Sequence, residues 1–448
     1  MSQRSRMISQ IWGYRGWKVK DLRFVGADGE PAREVRGYPA AESTVVLCVE
    51  RKWSVRCANC NAIGGAIHER LPIRYWRDLA MCGRPVLIEY APVRVGCRRC
   101  KTTAVERLAW ADPHHRQTQR FQQHLALDAF SMPIVHVASK YGLAWRTVRR
   151  AEVAAITRWE KTREAVPLRI LGLDEKYLGR RHRRDAKYVT IASNLETGEP
   201  IWIGFGRSEK TVEDFLRTLT PGQKALLSVA AMDMHRPFRN AIRSDPALAH
   251  VAICHDPFHI MKRAGDALDE LRREVFFRAG KEMRRIGSGG RWLVLRAWEN
   301  CTEGQQAELR TLLGYNGRLA RAYQVIEAQR AAVTKARSGV EMAAGLRHVL
   351  RRTSRRDNIP MRKLHDSILS HWDEIVALGE HRPPAGRIEA LNNNWETMVR
   401  RGRGHRDLDY LFRKLRFATA NPVRKEDGVR RFLALGLPAP AVASPCAA

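Results

Sequence analysis

Two short apolar runs in this chain each end in a carboxylate. Leu168–Leu173 leads into Asp174 and Glu175, and Leu226–Met232 leads into Asp233. Runs of this length and composition read as buried strands. A carboxylate delivered by a buried strand is costly unless water, a donor or a cation meets it. Two in one place repel, and a divalent cation is their natural neutraliser. A third carboxylate, Glu389, lies in Arg387–Arg401. There Ile388, Leu391, Trp395 and Met398 make one helical face, and Glu389, Asn393, Glu396 and Arg400 make another. Carboxylates beside amide and guanidinium groups, with Arg401 to Arg406 following, suit a metal ion held next to a phosphodiester. A different metal chemistry is written in the cysteines. Cys57, Cys60, Cys97 and Cys100 form two C-x-x-C knuckles, the usual way to set four thiolates around zinc. Arg56, Arg98 and Arg99 flank them and favour the thiolate. Cys48 and Cys82 lack knuckle partners and read as structural.

The elements that must position these groups follow from periodicity. Trp17–Val25 and Ser43–Val49 alternate like strands, and Val86–Glu89 is expected to complete a zinc ribbon between the knuckles. Gln117–Phe130 reads as a helix. Pro133–Arg150 reads as helix, Gly142 turn, helix, with Val135, Ala138 and Tyr141 packed under Leu143 and Val148. The second helix then exposes Trp145, Arg146, Thr147, Arg149 and Arg150, the layout of a helix-turn-helix that enters a DNA groove. Ala151–Val166 is expected as a helical linker. Next, Leu168–Leu173, Lys187–Asn194 and Pro200–Phe205 read as an antiparallel meander. A basic turn, Gly179–Arg184, follows the first strand. Helices at Glu209–Leu219 and His235–Arg243 alternate with strands at Leu226–Met232 and Val251–Cys254, the last followed by Asp256. The order βββαβαβ implies a mixed sheet with helices on its faces, with Asp174 and Asp233 at C-terminal strand ends. Gly172 permits close approach to its strand.

Ile260–Arg278 is strongly helical, with Met261, Ala264, Leu268, Leu271 and Val275 as its apolar stripe. Residues 279 to 380 read as helices broken at Gly287–Gly290 and Gly314–Gly317. Arg351–Arg356 is a basic run able to meet phosphate. Arg382–Gly386 breaks the chain before the Glu389 helix, and the Ala/Pro-rich sequence beyond Lys425 reads as a disordered tail.

Composition bounds the partner. With 448 residues the chain holds several domains, and 79 Lys plus Arg against 47 Asp plus Glu give a net charge of +32. Such an excess calls for a polyanion, above all nucleic acid. No apolar run approaches the roughly 20 residues that span a bilayer, and the first residues carry no secretory h-region. A reducing cytoplasm is the expected location, with the protein associated with the nucleoid through DNA.

Taken together, the order of motifs resembles a DDE transposase of bacterial insertion sequences, of the ISL-three type. The resemblance rests on the knuckles, the helix-turn-helix, GLDE at 172–175, MDM at 232–234, DPFH at 256–259 and IEALNN at 388–393. It covers roughly residues 10 to 420. It implies a multidomain α+β protein whose RNase H-like α/β mixed-sheet catalytic core carries an all-helical insertion. The expected domains are a β-rich zinc-ribbon domain (1–110), a helix-turn-helix and linker (111–166) and the first part of the core (167–258). A helical insertion (259–385), the last core helix with its basic segment (386–424) and a disordered tail (425–448) follow. By motif, Asp174, Asp233 and Glu389 match the catalytic triad and would hold magnesium, or manganese in its place, for a two-metal mechanism. Zinc on the four cysteines would be structural. Trp145, Arg146, Thr147, Arg149, Arg150, Asn393, Arg400 and Arg401 are the expected DNA contacts. The partners implied are double-stranded DNA, as terminal inverted repeats and as target, and a second copy of the chain in a homodimer or larger complex. The same features permit an RNase H-like nuclease or resolvase without strand transfer, or a non-catalytic zinc-containing DNA-binding regulator. Metal-dependent cleavage, and joining of a 3′-hydroxyl end to new DNA, separate the three.

Overall fold

The computed structural model describes residues 3–63, 65–178, 187–278, 280–353, 358–402, 407–423 and 426–437. The expected basic turn at Gly179–Arg184, residues 354–356 of the basic run, the Arg403–Arg406 segment and the end of the tail lie outside them. The chain divides into two compact units. One comprises residues 1–164, 398–405 and 421–448, the other 165–397 and 406–420.

The first unit opens with helix α1 (Gln3–Trp12) and strand β1 (Trp17–Val25), followed by a short pair, β2 (Glu34–Val35) and β3 (Tyr38–Pro39). Then come β4 (Thr44–Arg51), β5 (Ala66–Arg70), β6 (Arg74–Met81), β7 (Arg84–Tyr90), β8 (Val93–Gly96) and β9 (Thr103–Val105). β1, β4, β7 and β6 form one sheet in that order, and β5, β8 and β9 form another. The first sheet buries Trp12, Trp17, Leu47, Trp76, Ile88 and Trp110 together. Trp110 sits at the centre, meeting Trp12, Trp17 and Trp76 edge-on at centroid distances of 6.1, 5.6 and 5.1 Å. Val86–Glu89 is a strand as expected, but it belongs to this tryptophan sheet rather than the ribbon. Val86 and Ile88 find apolar partners there, beside β4. The knuckles instead flank the small β5-β8-β9 sheet.

Helices α2 (Gln119–Ser131), α3 (Ile134–Tyr141) and α4 (Trp145–Glu160) complete this part. Thr118 caps α2 by accepting from Phe121 N. α3 ends at Gly142, whose φ of +61° is the left-handed turn between the paired helices. Ile134, Val137 and Ala138 face inward, so Val135, expected inside, is 58% exposed. The expected linker from Ala151 is a continuation of α4 as far as Glu160. Its Ala151, Ala155, Ile156 and Trp159 are buried on three- and four-residue spacing.

The second unit begins with a five-stranded sheet. Its strands are β10 (Ile170–Tyr177), β11 (Tyr188–Asn194), β12 (Glu199–Phe205), β13 (Val229–Met232) and β14 (Ala252–His255), in the order β12-β11-β10-β13-β14. β12, β11 and β10 run antiparallel; β10, β13 and β14 run parallel. Helices α5 (Glu209–Leu216), α6 (Pro221–Leu226) and α7 (Arg236–Arg243) connect these strands. The run from Leu226 becomes strand only at Val229, because a capping box on Thr220 starts α6 in front of it. One sheet face buries Leu171, Leu173, Ala230 and Met232 against Val212, Phe215 and Phe238.

Beyond β14, α8 (Pro257–Phe277), α9 (Lys281–Ile286), α10 (Arg291–Leu295), α11 (Glu303–Gly314), α12 (Gly317–Lys335), α13 (Gly339–Thr353), α14 (Ile359–Ser370) and α15 (Trp372–His381) pack round a separate apolar core. Residues 287–290 fall between α9 and α10, and Gly314 and Gly317 end α11 and start α12, so the helices break where the sequence implies. Polar contacts tie this bundle to the sheet and to α7. His255 Nε2 lies 3.0 Å from His371 Nδ1, and Arg243 Nη2 donates to Glu374 Oε1 at 2.5 Å. Burial lowers both histidines to about 4, so this contact joins neutral rings.

The chain returns to the sheet as α16 (Gly386–Gly402), then α17 (Leu408–Ala420) and α18 (Glu426–Ala434). Ile388 packs with Leu195 and Ala231 on the sheet face opposite α5 and α7. The expected disordered tail is corrected at its start: α18 is helical, and Gln123 Nε2 donates to Phe432 O at 2.6 Å. Phe432 supplies the apolar anchor that the Ala/Pro-rich composition concealed; it is fully buried.

Gly172 is a close-approach residue, as its place in β10 suggests. A Cβ there would meet Ser193 Oγ at 2.6 Å and Leu195 Cδ2 at 2.7 Å. Gly172→Ala is therefore expected to destabilise the second unit by about 1–3 kcal/mol, read as a lower urea midpoint.

Candidate carboxylate site and nucleic-acid interface

The register of the three parallel strands decides where the carboxylates stand. Leu173 pairs with Met232, and Met232 with His255. The next residues are Asp174, Asp233 and Asp256, so all three emerge at one end of adjacent strands. The expectation that Asp174 ends its strand is corrected. β10 runs on to Tyr177, with Asp174 paired to Ile191 of β11. It is β13 that stops, leaving Asp174 without a strand neighbour on that side.

Charge crowding follows. The Asp233 carboxyl is pushed up to about 7 by burial, then by the negative charges of Glu175 and Asp174. Asp256 is raised by burial and by Asp174 and Glu389. Glu389 lies in the first turn of α16, so this helix brings its charge to the group formed by the strands. Asp256 also caps α8, accepting from Phe258 N at 2.9 Å. It therefore has a structural duty besides its place in the row.

The three expected ligands do not form one tight group among the described residues. Glu175, Asp233 and His235 do, each offering an atom within 4.8 Å of the others. Asp174 Oδ2 instead lies 3.0 Å from Lys176 Nζ. Glu175 Oε1 meets Arg207 Nη1 at 3.3 Å, and its Oε2 is 3.9 Å from His235 Nδ1. Asp174 Oδ2, Glu175 Oε2 and His235 Nδ1 are all buried, with no hydrogen bond beyond these ionic contacts. Hard oxygens and one imidazole gathered in a buried group are a donor set that fits a divalent cation. Glu175 and His235 were missed as site residues. Strand alternation sends Glu175 to the face opposite Asp174, and only the turn after Met232 brings Asp233 towards it. Beside Asp233, a cavity of about 610 Å³ is lined by His235, Arg236, Arg263 and Lys363.

The cysteines meet as their spacing implies. Cys57, Cys60, Cys97 and Cys100 lie within 4.8 Å of one another. Sγ–Sγ distances are 3.6 Å for Cys57–Cys100 and 3.5 Å for Cys60–Cys97. Tetrahedral zinc with Zn–S bonds of about 2.3 Å needs edges of about 3.8 Å, so the group fits that ion. Thr102 leads the lowering of the Cys100 thiol to about 6. Cys48 stands apart, raised to about 11 by burial and by its bond to Glu89, and Cys82 is exposed.

On α4, Trp145, Arg146 and Arg150 are exposed, while Thr147 and Arg149 are half-buried. The Arg149 guanidinium lies over the Trp145 ring at 5.6 Å, and Arg150 Nη2 donates to His114 O at 3.2 Å. Asn393, Arg400 and Arg401 are exposed on α16, with Arg401 Nη1 bonded to Phe130 O at 3.1 Å.

Residues 171–415 match a family model described as "Transposase", the DDE type of ISL3, and residues 106–154 match the "Helix-turn-helix domain of transposase family ISL3". The chain belongs to the ISL3 family of DDE transposases. The transposase is 25% identical over 416 residues to the transposase for insertion sequence element IS1001 of Bordetella parapertussis, covering 92% of this chain and 98% of that one. It is 27% identical over 423 residues to the transposase for insertion sequence element IS1557 of Mycobacterium tuberculosis, covering 88% and 90%. The DDE match begins inside β10 and takes in Asp174, Glu175, Asp233, Asp256 and Glu389, and the helix-turn-helix match spans α2, α3 and most of α4. The transposase is thus an enzyme with a DNA-binding domain, of a family that uses divalent metal. Among the described residues no helix is long and apolar enough to cross a membrane.

The raised Asp233 has a consequence for stability. In the folded, metal-free transposase it keeps a proton that the unfolded chain loses above about pH 4. Its contribution to stability therefore declines as pH rises from about 4 to about 7, then levels off. Asp233→Asn is expected to flatten the urea midpoint over that window; an unchanged slope would place the crowding elsewhere.

Proposed function

We propose that Asp174, Asp233 and Glu389 are the catalytic carboxylates, and that the enzyme nicks the ends of its element and joins them to target DNA. The observation that carries this reading is the strand register that sets Asp174, Asp233 and Asp256 side by side, with Glu389 adding its charge from α16. The sheet order, three antiparallel strands followed by two parallel ones, supports an RNase H-like core. Magnesium or manganese bound there would activate water and then a DNA 3′-hydroxyl, and would stabilise the leaving oxygen. The protein's part is to hold that charge in place. Asp174 and Asp233 are fixed by the strands, and Glu389 by the seating of Ile388 on the sheet. Glu175 and His235 stand next to Asp233 and orient it. Asn393 meets phosphate near the cleaved bond, and Arg400 and Arg401 are further contacts to DNA.

The four cysteines hold structural zinc, since a closed set of thiolates leaves no open position. Trp145, Arg146, Thr147, Arg149 and Arg150 read the terminal inverted repeats from the start of α4, where a recognition helix presents its first residues to base edges. Joining two ends calls for at least two copies of the enzyme on DNA.

A strand-transfer assay with purified enzyme, DNA ends and magnesium tests the carboxylates. Asp174→Asn is expected to lose cleavage and joining by about a thousandfold or more while retaining end binding. Retained cleavage would remove Asp174 from the mechanism. Cleavage without joining by the native enzyme would make it a nuclease. Arg146→Ala with Arg149→Ala should abolish preference for end sequences, measured against a scrambled duplex. Zinc analysis should find one ion per chain, absent from Cys97→Ser/Cys100→Ser.

A further inference from the structure

The basic run at 351–356 has no part in the carboxylate site, yet its described residues do not lie on a featureless surface. Arg351 and Arg352 end α13 and face Arg318 and Arg321 of α12 across a cavity of about 500 Å³. Gln324 and Asn358 add polar groups to the wall. No carboxylate is among the described lining residues. Beneath the arginines, Ala322, Val325, Thr353 and Met361 are buried, so the cavity stands on the packed core of the helical bundle.

Two physical facts mark the arrangement as one that attracts an anion. Four guanidinium groups drawn from two helices into one concavity add their fields there, and an entering negative charge meets all four. Arg318 and Arg321 also sit near the start of a 19-residue helix with no acidic residue in its first turn. The positive end of the helix dipole adds to the same field and favours an anion. Guanidinium forks match phosphate oxygens two at a time.

We propose that this cavity is a DNA backbone site, in which the four arginines hold consecutive phosphates of a duplex without reading its sequence. The occupant is the target DNA that the enzyme must engage besides its own ends. Three features favour a duplex over a free phosphate. The arginines are exposed at an open cavity, the chain carries a net charge of +32, and the family acts on DNA. Backbone contacts of this kind position DNA but carry no sequence information. The site lies in the unit that holds the carboxylates, whereas the helix-turn-helix belongs to the other. The proposal rests on the enzyme using target DNA, but not on the roles given to Asp174, Asp233 and Glu389.

The test uses the full-length enzyme without magnesium and a fluorescent duplex that lacks element ends, titrated at several salt concentrations. Arg318→Gln/Arg321→Gln and Arg351→Gln/Arg352→Gln should each weaken binding about tenfold or more. Each should also reduce the slope of log affinity against log salt by about 2, at roughly 0.9 for each phosphate no longer neutralised. A charge-matched control, Arg278→Gln/Arg285→Gln on the same bundle, should change both far less. Circular dichroism and urea midpoints establish that all variants fold. Preference for end DNA over other DNA should persist, and in strand-transfer reactions end cleavage should outlast joining. Equal weakening by the control would reduce the effect to bulk charge and overturn the proposal. So would unchanged slopes in both cavity variants. Inorganic phosphate at constant ionic strength forms the second arm: loss of its binding with no change in DNA slope would assign the cavity to free phosphate. If native enzyme fails to cleave but the slopes shift as stated, the catalytic reading falls and this site stands.

Discussion

Like charges drawn together at the end of three parallel strands are the constraint on which the second unit depends. The register of β10, β13 and β14 leaves Asp174, Asp233 and Asp256 no freedom to separate along the strands. Without a cation their repulsion is met by the raised proton affinity of Asp233, by the Lys176 contact to Asp174 and by Arg207 beside Glu175. Each is an answer that a divalent ion, bound there as proposed, would make unnecessary. The bare protein holds these carboxylates under electrostatic load.

Holding such a load needs a rigid frame, and the frame is built from buried polar contacts as well as apolar ones. The His255–His371 contact fastens the start of α15 to β14, one residue before Asp256, and the Glu374 pairing with Arg243 fastens α15 to α7. Burial of neutral imidazoles costs less than burial of charge, and both rings are pushed to neutrality. The helical bundle, inserted between β14 and α16, is thereby fixed to the sheet that carries the carboxylates. The first unit uses the same device. Asp78 is buried and accepts from Trp12 Nε1, Thr118 Oγ1 and Arg120 Nε, fastening the tryptophan sheet to α2.

Much of this was legible in the sequence because the signals are local. The four cysteines, the Gly142 turn and the apolar faces of α8 and α16 follow from spacing alone, and the structure has them where the spacing put them. Local signals failed where an element's partner decides its use. Val86–Glu89 alternates like any strand, and only the burial of Ile88 among tryptophans says which sheet takes it. Val135 points outward because Ile134 and Val137 set the phase of α3. Phe432 needed α2 to turn an Ala-rich end into a docked helix.

The sequence by itself determined which residue types are available: carboxylates after apolar runs, paired cysteines, and a basic helix after a glycine turn. It also determined the parity of each strand. Tertiary structure alone decided which of those residues meet. Parallel pairing brings Asp174 level with Asp233 across a sequence gap that no periodicity spans. The turn after β13 brings Asp233 and His235 to Glu175, which alternation on β10 assigned to the other face. The packing of α12 beside α13 turns two separate arginine pairs into one basic cavity. The physical reason is the same in each case. Periodicity fixes the direction of a side chain within its own element, while distance between elements is set by register and packing.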